Sequence, residues 1–234
     1  MRGGWLFDDD VLDVVALETA KANELGQTFG DAFFYGTFAY RLVDSIGVPL
    51  IGYGDGDLAL QMSMIDLEAF GTVALVLWGS QAFVRRERPV ITRRCDEPQF
   101  AGTSKCNADS VERSRSFIAG HFAVVLTGAG LTCMHHRHIP LYGGQWDDVA
   151  CGSTIGAAAM TAGLRLMTED HYPSDTVLGL ALGGFAGWVL PSVLHYKSRP
   201  RQSEVAHANA TTIRVQVLPM LQQDRYGVAA LGVF

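Results

Sequence analysis

The stretch R-L-M-T-E-D-H-Y-P-S-D, Arg165 to Asp175, decides how the chain is read. Two uncharged apolar runs bracket it, Val149–Leu164 and Thr176–Tyr196, so it is the polar link between two apolar helices. Within it an arginine stands six residues before a histidine, His171, and an aspartate four after it. Two further pieces of chemistry lie upstream. Arg88-Pro89 closes the basic run R-R-E-R-P, and Ser116 to His121 reads S-F-I-A-G-H. Arginines from two segments, histidines from two segments and one carboxylate in register suit phosphoryl transfer. A guanidinium is a planar multi-donor cation that fits phosphate oxygens. One histidine can attack phosphorus, a second can protonate the leaving oxygen, and a carboxylate can fix the first one's tautomer.

Working outward, the apolar pattern predicts an all-α fold, a membrane-embedded bundle of about six helices. Val11–Leu25 has helical spacing behind the acidic flank Asp8-Asp9-Asp10 and reads as an amphipathic helix along the membrane or capping the bundle. Phe29–Leu50 is a second helix, broken near Gly47 and Pro49, in which Arg41 and Asp44 can pair. Leu58–Val84 delivers Arg88, and 85–115 is a polar, basic loop. Further helices run from about Phe117 to His135, from about Asp147 to Met167, and from Ser174 to Tyr196. Ser116–Met134 and Thr176–Tyr196 reach the length needed to span a hydrocarbon core. Alternating helix direction brings Arg88, His121, Arg165 and Asp175 to one end. Residues 1–196 then form one helical domain. Residues 197–234 form a polar linker and a small hairpin, with strand-like Ile213–Leu218 and Val228–Phe234 around a turn at Asp224–Gly227.

Composition agrees. Of 234 residues, 18% are charged and 48% hydrophobic, with 26 glycines, which is lean in charge for a soluble domain. The net charge of −6 excludes an electrostatic case for nucleic-acid binding. A mean hydropathy of +0.15 is low for a multi-pass protein and keeps a soluble six-helix relative in view. The N-terminal stretch has no apolar core of a signal peptide.

At these residues the chain resembles the type 2 phosphatidic acid phosphatase family, which includes vanadium haloperoxidases and bacterial acid phosphatases. The family pattern is K-x6-RP, then PSGH, then SR-x5-H-x3-D. The third part matches at Arg165, His171 and Asp175, with Leu164 for serine. The second matches at Gly120 and His121, with Ile118 and Ala119 for proline and serine. The first matches at Arg88 and Pro89, with Gln81 at the lysine position. The resemblance covers roughly residues 69–196. It implies that His171 attacks phosphorus, that Asp175 holds its imidazole, and that His121 protonates the leaving alkoxide. It implies that Arg88, Arg165 and the Gly120 N–H bind the phosphate. Gln81 can still donate to an oxygen, and Arg86, beside Arg85, can restore the missing charge. No metal or cofactor is implied.

The function expected is hydrolysis of a lipid phosphate monoester or diphosphate through a phosphohistidine. A phosphate-lipid binder without turnover is the alternative that Gln81 and Ala119 raise, and a vanadate-dependent haloperoxidase is a third. The partners expected are a lipid phosphate and the membrane. The location is the inner (plasma) membrane, crossed several times, with the resemblance putting the active site on the periplasmic or exterior face. Lys197, Arg199 and Arg201 mark the opposite end as cytoplasmic. His135, His136 and His138 lie about 21 Å along the helix from His121 and are expected in a solvent-facing loop. Cys95 and Cys106 are expected to be bridged, and Cys133 and Cys151 free.

Overall fold

The computed structural model describes residues 4–197, 214–222 and 225–233. The chain divides into two compact units, 1–197 and 198–234. In the first, helices α1 (Asp8–Val15), α2 (Ala20–Leu42), α3 (Gly56–Val84), α6 (Gly120–His138), α7 (Gln145–Met167) and α8 (Pro173–Gly184) form an all-α bundle. Short helices α4 (Pro89–Arg93) and α5 (Ser110–Arg113) lie in the connection after α3. Wider π-helical turns carry α2 on through Val43–Gly52 and α8 on through Phe185–Val189 and Ser192–Tyr196.

The N-terminal boundaries differ from the sequence expectation for a capping reason. Ala16 is extended, which ends α1 at Val15, and the Thr19 hydroxyl accepts the Ala22 N–H at 3.2 Å to start α2 at Ala20. Pro49 does not break the following segment. It lacks an N–H, and the chain accommodates it inside the wider turns. Asp55 caps α3, its carboxylate accepting the Leu58 N–H at 2.9 Å.

Helix α6 is the core. Fourteen of its 19 residues are buried, on every face, as expected of a helix surrounded by others. Helix α8 and its extension approach it closely. A Cβ at Gly130 would fall 2.6 Å from the backbone of Gly187, and one at Gly183 would fall 2.6 Å from the Ala123 carbonyl, so only glycine permits this crossing. The outer faces are the reverse of a soluble protein's. Leu75, Trp78 and Phe83 on α3 are 72%, 75% and 90% exposed. Among the described residues, three stretches are long and apolar enough to cross a membrane: Gly56–Arg93, Gln145–Met167 and Pro173–Tyr196. Apolar side chains turned outward on such helices fit lipid as their solvent.

Two expectations are corrected here. Cys133 and Cys151 are not free: they form a disulfide between α6 and α7, alongside the Cys95–Cys106 bridge. His135 and His136 are not solvent-facing. Helix α6 runs three residues beyond the expected end at His135, which turns both rings into the bundle, where they are buried.

The second unit holds strands β1 (Arg214–Gln222) and β2 (Arg225–Val233), paired antiparallel from Arg214↔Val233 to Gln222↔Arg225. Pairing therefore begins inside the segment expected as the turn.

Candidate active site

The basic connection after α3 is tied to the helix ends by its backbone. Arg85 adopts a left-handed conformation that ends α3. The Arg88 N–H then donates to Arg113 O at 3.0 Å, and the Ser116 N–H to Arg86 O at 3.0 Å. The Val90 N–H reaches Glu169 O at 2.9 Å, before α8, and the Ala119 N–H reaches Asp175 O at 3.2 Å, inside it. These bonds bring all three sequence motifs to one end of the bundle.

His171 sits at the centre and is 2% exposed. Its Nδ1 lies 2.6 Å from the Ser116 carbonyl oxygen. A carbonyl can only accept, so Nδ1 carries the proton and Nε2 keeps its lone pair. That Nε2 is buried and has no hydrogen-bond partner among the described residues. Burial, reinforced by the charge of Arg88, holds the imidazole well below its ordinary pKa, so the ring is neutral at pH 7. A neutral imidazole with one nitrogen anchored and the other bare is chemically able to act as a nucleophile.

Around it stand the cations. The Arg88 guanidinium donates to the Asp170 carboxylate at 3.1 Å and to Glu112 at 2.9 Å. Arg165 donates to the other Asp170 oxygen at 2.6 Å and to Asp31 of α2, while its buried Nε has no partner. Gly30 permits this, because a Cβ there would lie 3.0 Å from Arg165 Nε. Lys105 Nζ is 3.2 Å from Asp170. Burial pushes the Asp170 carboxyl up, but Arg88, Lys105 and Arg165 outweigh it and hold the group below the carboxylate range. One carboxylate thus accepts from both guanidiniums. His121, in the first turn of α6, pairs its Nε2 with Asp31 at 3.2 Å and packs on the Phe34 ring. First-turn N–H groups have no intrahelical acceptor, so the start of α6 at Gly120 suits an anion. Gln81 is at hand: its amide nitrogen would be 4.0 Å from a Cβ on Gly120.

Two assignments change. Asp175 does not touch His171. Its oxygens accept from the Ser116 hydroxyl at 2.6 Å, the Tyr172 N–H at 3.1 Å and Arg86 at 2.7 Å. Asp175 thus fixes Ser116, whose carbonyl fixes the imidazole. Arg86, expected beside the phosphate, is engaged within the fold. It is fully buried, ion-paired with Asp8 at 2.8 Å and with Asp175, and its guanidinium lies over the rings of Tyr172 and Trp5. Asp8, which also accepts the Ser174 N–H, makes α1 a cap on this end. Sequence reading missed Asp31, Asp170 and Lys105. Asp170 lay inside the quoted stretch, and Asp31 is an acid in an otherwise apolar turn of α2.

The family model of the PAP2 superfamily matches residues 66–199, more than half of the chain. The chain belongs to the PAP2 superfamily. Neither a curated protein nor a solved structure matches it in the corresponding comparisons. Membership of the PAP2 superfamily supports a phosphatase-type function and, at that level, a hydrolase. The three apolar helices and the family together fit a membrane protein. The PAP2 match contains the three motifs, while Trp5 and Asp8, and Gly30, Asp31 and Phe34 of α2, reach the site from outside it.

Proposed function

We propose that this protein hydrolyses a lipid phosphate monoester or diphosphate through a phosphohistidine. The observation that carries the reading is the buried, unpartnered Nε2 of His171, anchored at Nδ1 and flanked by Arg88 and Arg165. Phosphate oxygens would displace Asp170 from the two arginines and take N–H donation from the start of α6. The Gln81 amide is placed to add a donor, with no charge. His171 Nε2 attacks phosphorus, the bond to the leaving oxygen breaks, and His121 gives that oxygen its proton. His121 then takes a proton from water, whose oxygen attacks phosphorus and breaks the P–N bond. Inorganic phosphate leaves and the imidazole is neutral again. Fixed donors at the transferring group supply most of the stabilisation in such chemistry. Asp31 orients His121, and Asp175, with Arg86 behind it, orients His171 through Ser116.

A lipid substrate suits a site at the end of membrane-length apolar helices. The reading includes residence in the inner (plasma) membrane as a multi-pass protein with the site facing the periplasm or exterior. The Cys95–Cys106 disulfide in the connection beside the site supports that side, since disulfides persist in oxidising compartments. Purified protein in detergent should release phosphate, without added metal, from phosphatidic acid, phosphatidylglycerol phosphate or undecaprenyl diphosphate. No release across that panel from folded protein sinks the proposal. The second reading, binding without turnover, draws on Gln81 and Ala119. It expects lipid-phosphate binding by the wild type, and release only after Gln81→Lys with Ala119→Ser.

A further inference from the structure

The turn that carries His171 is bent in a way its sequence does not favour. Glu169 has φ +54°, the left-handed region that a residue with a Cβ rarely adopts without support. Support comes from one connection. The Val90 N–H holds the Glu169 carbonyl at 2.9 Å, and the side chains of Arg93 and Arg94 take one Glu169 carboxylate oxygen each, both at 2.7 Å. Farther along the same connection Lys105 reaches the next residue, Asp170, at 3.2 Å, and Glu112 at 3.9 Å.

The disulfide explains why these cations arrive together. Cys95 follows Arg94 and Cys106 follows Lys105, and the Cys95–Cys106 bridge closes the segment between them with Cα atoms 5.4 Å apart. Arg94 and Lys105 therefore face the chain as a fixed pair, and they meet the adjacent carboxylates Glu169 and Asp170 immediately before His171. The closed segment is filled by its own Phe100 and tied by the next residue after it. Phe100 is fully buried under the Arg94 guanidinium, and the Asn107 amide donates to the carbonyls of Ala101 and Thr103.

Asp170 is also the group that Arg88 and Arg165 share. A phosphate can use those arginines only if Asp170 finds another cation. Resting on the phosphatase reading above, we propose that the Cys95–Cys106 segment is a clasp on the nucleophile-bearing turn. Its positioning residue is Lys105, which already pairs with Asp170 and keeps it when phosphate displaces it from Arg88 and Arg165. Loss of Lys105 leaves Asp170 on the arginines, and loss of the disulfide leaves Lys105 without a fixed position.

The test uses full-length protein in detergent, with inorganic phosphate as a binding probe measured by calorimetry and p-nitrophenyl phosphate as substrate. Lys105→Ala should weaken phosphate binding and raise KM about tenfold, the scale of one charge-assisted bond, with kcat less affected and thermal midpoint kept. Lys105→Arg should restore most of the loss, which a merely structural role would not require. The double variant Cys95→Ser/Cys106→Ser, and wild type treated with dithiothreitol, should reproduce the Lys105→Ala defect. Cys133→Ser/Cys151→Ser should leave phosphate binding unchanged. Wild-type phosphate affinity in Lys105→Ala, or a Lys105→Arg variant as weak as Lys105→Ala, overturns the clasp. Wild type that binds phosphate yet hydrolyses no ester overturns the phosphatase reading instead, and the binding arm still decides the clasp.

Discussion

The bundle has a buried polar cluster at each end, and they are built on opposite principles. At the far end the Arg41 guanidinium donates to Asp44, Asp66 and Thr132, and Ser45 donates to Asp66 at 2.6 Å. His135 joins Asp66 at 3.0 Å and the Tyr196 hydroxyl at 2.5 Å. His136 lies between two carboxylates, Asp44 at 3.0 Å and Asp147 at 2.6 Å, so both ring nitrogens must donate and the ring is an imidazolium. No buried side-chain atom of this cluster lacks a partner among the described residues. At the site end His171 Nε2 and Arg165 Nε do. A buried polar atom left bare costs about 1–3 kcal/mol, so the bundle carries that cost at one end alone. A closed network holds helices together, and an open one leaves a buried lone pair and a buried donor unused.

The sharpest way to break this contrast is at the bare nitrogen. His171→Ala should abolish phosphoenzyme formation and lower release to background, a loss on the order of 10⁶-fold where a covalent nucleophile is removed. Trapped, radiolabelled phosphoenzyme in that variant would overturn the nucleophile assignment. If the site-end cluster is open because it is used, the folded fraction should hardly change.

How much of this contrast the sequence carried depends on range. Helix direction and the convergence of Arg88, His121, Arg165 and Asp175 followed from segment lengths and apolar runs, which local hydrophobicity encodes. The hydrogen-bond partners did not follow. Asp175 is spaced to reach His171, yet α8 starts at Pro173 and draws that carboxylate onto its own N-cap at Tyr172 and onto Ser116. Arg86 is two residues from Arg88 and chemically identical, and only the fold shows that α1 brings Asp8 to occupy it. The far-end histidines looked like loop residues because a helix end is set by its partners as much as by propensity. Their carboxylates come from α3, α7 and the π-helical extension of α2, at separations no local pattern reports.

His121→Ala tests a smaller step at the open end. General-acid help typically contributes roughly 10²–10⁴-fold, and it matters most for a poor alkoxide leaving group. The variant should lose that much on lipid phosphates and far less on p-nitrophenyl phosphate. Equal losses on both would count against the acid role and leave the His121–Asp31 pair a structural contact.

The closed end gives the complementary outcome. Asp66→Asn removes the charge that Arg41 and His135 share and leaves Arg41 with Asp44 alone, and breaking a buried ion pair typically costs about 3–5 kcal/mol. The thermal midpoint in detergent should fall sharply while turnover per folded molecule stays near wild type. A stable variant with impaired turnover would reverse the division of labour between the ends.

The smallest effect is the pH dependence that His171 contributes at the open end. The His171 pKa is depressed in the fold by burial and by Arg88, relative to about 6.5 for an exposed ring. As pH falls below about 6.5 the unfolded chain takes up a proton that the folded site refuses, so the unfolded state binds more protons and stability falls. The loss starts near 6.5, grows by about 1.4 kcal/mol per pH unit, and levels off only once the pH passes the folded pKa. His171→Gln removes this titration. Its midpoint should therefore drop less steeply than wild type between pH 6.5 and 5. The same depression keeps Nε2 unprotonated, so the acid limb of turnover should lie below pH 6.5 unless His121 sets it. Parallel slopes for wild type and His171→Gln would mean that the imidazole takes up its proton alike in the folded and unfolded chain, so that the fold does not hold it neutral.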